Sequence, residues 1–151
     1  MKPVHVQAIV CLLYTSFLER SILFWQEFIA DKPDFFIFIE NTLEDEPYLL
    51  ANLIQGINNE QIKACLDVGH AYCNSKLPMS EWLDVLCPVL GHTHLHNNDK
   101  SHDLHSPLNE GDIDIIALIH TINARAPHAT FTIENRQCQT SLQWLEENHM
   151  L

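Results

Sequence analysis

"DKPDFFIFIE" (residues 31–40) sets a helix breaker against an unbroken apolar run, and the reading of that junction decides the fold. Lys32-Pro33-Asp34 ends any helix that precedes it, because proline has no N–H to donate and disfavours a helical residue before it. "FFIFIE" (35–40) is apolar on both of its alternating faces, the pattern of a strand covered on both sides in a parallel sheet, and it closes on a glutamate.

Upstream, "TSFLERSILFWQEFIAD" predicts a helix, with Ser16 and Glu19 as a capping box and Leu18, Ile22, Trp25 and Ile29 as one apolar stripe. Downstream the same unit recurs. "YLLANLIQGI" (48–57) has helical spacing, and "IKACLDVGH" gives a strand ending at Asp67. "SEWLDVLCPVL", with Ser80 as its N-cap, leads into the strand "GHTHLHN". "DIDIIALIHTINARA" (112–126) and "HATFTIEN" (128–135) repeat the pattern up to Glu134, and "TSLQWLEENH" closes the chain as a helix. With residues 6–13 counted as a strand, there are about five βα units. The fold class is α/β, a parallel sheet with outer helices and right-handed crossovers.

In parallel α/β architectures the carboxyl ends of the strands open onto the loop-built face where chemistry is done. The polar residues there are Glu40, Asp67, His94 and Glu134, separated by 27, 27 and 40 residues, each about one βα repeat. One acidic residue at a strand end is commonly a cap or a turn residue. Four in successive units point to a shared site. Carboxylates with an imidazole suit a divalent cation such as Zn, Mn, Co or Mg, and two glutamates across it could exchange protons with a substrate carbon.

"GHTHLHNNDKSHDLHS" (91–106) holds five of the ten histidines. In a strand, residues two apart share a face, so His92, His94 and His96 point the same way, with His92 lower and packed. Asp103 and His105 lie in the loop beyond, where they can fold back over the site.

The 151 residues are 46% hydrophobic with 4 Gly and 7 Pro, the makeup of a single domain. A formal charge of −12 argues against a phosphate backbone as partner. Five scattered cysteines without a C-x-x-C pair read as reduced thiols of a cytoplasmic protein. The apolar start is too short and interrupted for a membrane span and lacks the marks of a signal peptide. Trp25, Trp82 and Trp144 fall on predicted helices, where they pack against the sheet.

"FIENT", "CLDVGHA", "HTHLHNND", "DLHSPLNEGDID" and "FTIEN", in this order, resemble the second half of the xylose isomerase-like TIM barrels, the superfamily of sugar phosphate isomerases/epimerases and type IV apurinic endonucleases. The resemblance implies metal ligation by Glu40, Asp67, His94 and Glu134, with Glu40 and Glu134 also the acid/base pair of epimerase-like members. It implies a second metal or substrate contact at His70, and an additional zinc held by the D-x-H pair Asp103 and His105. His96 is read as an outer-shell group or a substrate contact, and Arg136 as meeting either an anionic substrate group or a surface ion-pair partner. Two departures stand out: Asn97 where most members have Asp, and Asn109 in place of a glycine that would favour an unusual backbone angle.

A complete (β/α)₈ barrel needs about 250 residues, so residues 1–151 read as one domain, a truncated barrel lacking about three units. The expected function is a divalent-metal-dependent isomerase or epimerase acting on a small sugar or sugar phosphate. The alternatives are an incomplete, inactive half-barrel and a zinc-dependent endonuclease-like phosphodiesterase, against which the acidic charge and the absence of a basic stripe weigh. Open sheet edges imply a homo-oligomer or a partner chain supplying the N-terminal half-barrel.

Overall fold

The computed structural model describes the backbone of residues 4–151 and the side chains of residues 14–151. Four strands, β1 (Ile37–Glu40), β2 (Ile62–Asp67), β3 (Leu90–Leu95) and β4 (Thr130–Ile133), lie parallel in the order of the sequence. Helix α1 (Val4–Ile29) precedes β1, and α2 (Tyr48–Ile57) joins β1 to β2. Between β2 and β3 come α3 (Val68–Asn74), α4 (Met79–Leu86) and a 3₁₀ turn (Cys87–Val89), α5 (Ile115–Arg125) joins β3 to β4, and α6 (Cys138–Glu147) follows. This is the α/β arrangement expected, part of the wall of a barrel.

The N-terminal expectation fails. Residues 6–13 are helical within α1, so the described residues hold four strands. The apolar segment suits either state by composition, no breaker separates it from "TSFLER", and no described strand lies beyond β1 to pair with it. Ser16 therefore lies inside a helix rather than starting one. Ser80 is likewise internal, because the chain enters α4 from extended Pro78 without a side-chain cap.

Alternation along the strands divides the sheet into two faces. One face, including Ile62, Ala64, Leu66 and Leu95, is covered by Leu50, Leu53, Ile54 and Ile57 of α2, Trp82, Leu83 and Leu86 of α4, and Ile115, Leu118 and Ile122 of α5. Trp25 and Trp144 pack partly buried against the same core. The other face carries Phe38 and Glu40, Cys65 and Asp67, His92 and His94, and Thr130 and Thr132. Phe35 and Phe36 precede β1 as exposed residues, 57% and 69% accessible, not as part of a strand covered on both sides.

Candidate metal centre

Parallel pairing aligns Asp67 with His94 and His94 with Thr132, while Glu40 pairs with Cys65 one step lower. Just past β4, the Glu134 N–H still donates to Leu95 O at 2.9 Å, so its side chain leaves from the same rim. The four strand-end residues thereby converge. One donor atom from each of Glu40, Asp67, His94 and Glu134 lies within 4.8 Å of the others.

The arrangement is frustrated as a set of hydrogen bonds. His94 Nδ1 stands 3.0 Å from Glu40 Oε1, 2.9 Å from Glu134 Oε2 and 3.8 Å from Asp67 Oδ2. A ring nitrogen carries at most one proton and ionised carboxylates only accept. The Glu40 contact has hydrogen-bond geometry, whereas Glu134 Oε2 and Asp67 Oδ2 are buried without a hydrogen-bond partner. Three carboxylates and one imidazole around a common point are the donor set of a divalent cation.

A second group lies beside the first: His70, His96, Asp103 and His105, again with donor atoms within 4.8 Å of one another. His70 Nδ1 is 3.0 Å from the Asn41 carbonyl and His105 Nδ1 is 2.8 Å from the Glu134 carbonyl. A carbonyl only accepts, so each Nδ1 donates its proton there, and each neutral ring is left with a lone pair at Nε2. Those two nitrogens face the same oxygen, Asp103 Oδ2, at 3.2 and 3.1 Å. A lone pair facing a carboxylate is repelled unless the ring is protonated or a cation intervenes. Backbone carbonyls that orient imidazoles in this way are a recurring outer shell of metal sites.

The loop that brings Asp103 and His105 back is pinned at its neck by Asn97, whose N–H and C=O pair with Ser106 at 3.1 and 2.9 Å. Asn97 is buried, and its amide NH₂ donates to Leu108 O and Ile113 O while its Oδ1 accepts from the N–H groups of Asn98 and Ile113. An aspartate there could serve only the accepting half. Asn109 keeps negative φ; the unusual angle falls on Gly111, with φ +153°, where a Cβ would overlap Asn97. His102 is exposed and lies 2.9 Å from the neighbouring Ser101 hydroxyl.

Electrostatics follow the clustering. Burial by itself would raise the Asp67 pKa, but the hydrogen bond and charge of His96, with the N–H and charge of His70, outweigh it and hold the carboxyl below its usual range. Burial pulls His70 and His105 down, yet both are raised on balance, His70 by Asp67, the Asn41 carbonyl, Asp103 and Glu40, and His105 by the Glu134 carbonyl, Asp103 and Glu134. Burial and the nearby carboxylates push the Cys65 thiol up to about 12, so it stays protonated beneath the site.

Sequence reading named both groups except for one member. His96, expected as an outer-shell group or a substrate contact, is 0% exposed. His92, expected to be packed, is partly exposed, stacks on Phe38 at 5.2 Å, and meets the hydroxyls of Thr130 and Thr132 at 2.6 and 3.0 Å. Arg136 is exposed on the rim of a cavity of about 380 Å³ that Asp103, His105 and Glu134 also line. Asn41 was missed. Its side chain bonds both the N–H and the C=O of Asp67, joining the ends of β1 and β2, and the repeated "IEN" at 39–41 and 133–135 was its signal in the sequence.

Solved structures of other proteins share this fold. A protein from Thermus thermophilus soaked with ZnCl₂ is similar with a TM-score of 0.66 at 24% identity, over 89% of this chain and 55% of its own. A D-tagatose 3-epimerase-like protein is similar with a TM-score of 0.72 at 23% identity, over 86% of this chain and 53% of its own. The chain thus spans about half the length of these solved structures. No curated protein matches it in sequence. No described helix is long and apolar enough to cross a membrane. The family model described as xylose isomerase-like TIM barrel matches residues 19–148, and the chain belongs to that family.

Proposed function

We propose that residues 1–151 form one domain, the metal-binding part of an isomerase or epimerase that moves a proton at a carbon next to a carbonyl or hydroxyl of a small sugar or sugar phosphate. The observation that carries this reading is the single nitrogen, His94 Nδ1, shared by Glu40, Asp67 and Glu134. The likeness to a D-tagatose 3-epimerase-like protein is in keeping with a carbohydrate substrate.

Glu40, Asp67, His94 and Glu134 would hold a divalent cation, which when bound supplies Lewis-acid polarisation of oxygen ligands. Glu40 and Glu134 are the proton-transfer groups. Their carboxylates reach the same nitrogen from the end of β1 and from just past β4, which supports a two-base proton exchange at one substrate carbon. The open cavity beside Glu134 admits a small substrate, and Arg136 on its rim can meet an anionic substituent.

The test is deuterium exchange. Ketoses and their phosphates, incubated in D₂O with the chelated protein and then with Mn²⁺, Co²⁺, Zn²⁺ or Mg²⁺ restored, are expected to take up deuterium beside the carbonyl only when metal is present. No exchange with any metal, despite tight binding at the first group, would overturn the reading and leave an inactive domain. The second donor group favours one other reading, zinc-dependent phosphodiester cleavage. Nicking of an abasic duplex in the same samples would select it, against the −12 charge.

A further inference from the structure

We infer that His96 is a positioning residue for Asp67, holding one carboxylate oxygen so that the other is presented to the first donor group. The inference rests on the reading of that group as a metal site. Asp67 and His96 are both 0% exposed, and His96 Nε2 lies 2.9 Å from Asp67 Oδ1. An ionised carboxylate only accepts, so Nε2 carries the proton and donates it. The same oxygen accepts the His70 backbone N–H at 2.7 Å. Oδ1 is thereby held twice, while Oδ2 has no hydrogen-bond partner and lies 3.8 Å from His94 Nδ1.

The His96 ring has little freedom to do anything else. It stacks on His105 with centroids 4.0 Å apart and planes 12° from parallel. A Cβ on Gly69 would also overlap it, so a helix that begins with "VGH" leaves room for the imidazole only because position 69 is glycine. Asp103 Oδ1 is 3.7 Å from the same Nε2, and that nitrogen cannot ligate a cation in the second group while it donates to Asp67. With Nε2 so engaged, His70, Asp103 and His105 are the remaining donors of the second group, and the only other nitrogen of His96, Nδ1, is buried without a hydrogen-bond partner.

The experiment reads zinc affinity by competition with a chromophoric chelator. The parent is the full chain carrying Asp103→Asn and His105→Asn, in which only the first group remains. Adding His96→Leu is expected to weaken zinc binding about 10–100-fold, the usual effect of removing an outer-shell partner. His96→Gln, whose amide N–H can still donate to Asp67, is expected to recover most of that loss. Equal affinities for His96→Leu and the parent, with only a lower melting temperature, would make His96 structural and overturn the inference. So would a second zinc lost from the otherwise unmodified chain on His96→Leu with first-site affinity intact, since His96 would then be a ligand. If His96→Leu does not fold, His96→Gln decides, and a loss beyond tenfold there refutes positioning. A parent that binds no zinc at all refutes the metal reading of the first group itself, a failure visible before any change at His96.

Discussion

The Glu134→Gln variant is expected to keep its fold and lose deuterium exchange by about 10²–10⁴-fold, the range attributed to one general acid/base group. The substitution is nearly isosteric, and the side chain is 44% exposed, so little packing depends on it. Its Oε2 makes no hydrogen bond that the amide would break. What the amide cannot do is take up a proton. Because glutamine is also a poor ligand, metal content is measured beside the rate, and exchange is compared at saturating metal. A rate within a few-fold of the parent would remove Glu134 from proton transfer, whereas an unfolded variant in circular dichroism would mean that the carboxylate is structural.

The largest expected loss of stability comes from Trp82→Ala, about 3–5 kcal/mol. Trp82 leads the fully buried side chains of the described residues, at 0% exposure, and sits on α4 in the hydrophobic core. A domain has roughly 5–15 kcal/mol in total, so the variant should show a much lower urea midpoint with an unchanged slope. Trp82→Phe makes the control, since the indole Nε1 is buried without a hydrogen-bond partner. Phenylalanine gives up volume but removes an unsatisfied donor, and its cost should fall well below that of alanine. Equal costs for the two variants would mean that the indole has a partner.

How much was legible varies by element. Residues 48–57 were read to the residue, because their apolar spacing fits one helical stripe with no rival period. Glu40, Asp67, His94 and Glu134 were legible because each stands at or next to the carboxyl end of a strand, and parallel strands bring those ends to one rim. Residues 6–13 were not, since an apolar segment becomes a strand only if another strand pairs with it, and pairing is absent from local sequence. Pro78 in place of Ser80 as the start of α4 is a matter of one turn, set by where the chain leaves α3. His96, read as an outer-shell group or a substrate contact, lies buried against Asp67. It stands one residue past β3, where strand alternation alone does not decide whether a side chain meets substrate or packs on a neighbouring carboxylate.

His105 holds its backbone in the left-handed region, at φ 48°, where a side chain costs on the order of 1 kcal/mol. Glycine would sit there freely, yet the imidazole reaches both the Glu134 carbonyl and Asp103. Position 105 is thus a point where durability and chemistry make opposite demands. Random libraries of this chain selected only for survival of heating are expected to collect His105→Gly or His105→Asn, while libraries selected for holding zinc should keep histidine. The identity of residue 105 in each selected pool then records which of the two demands prevailed.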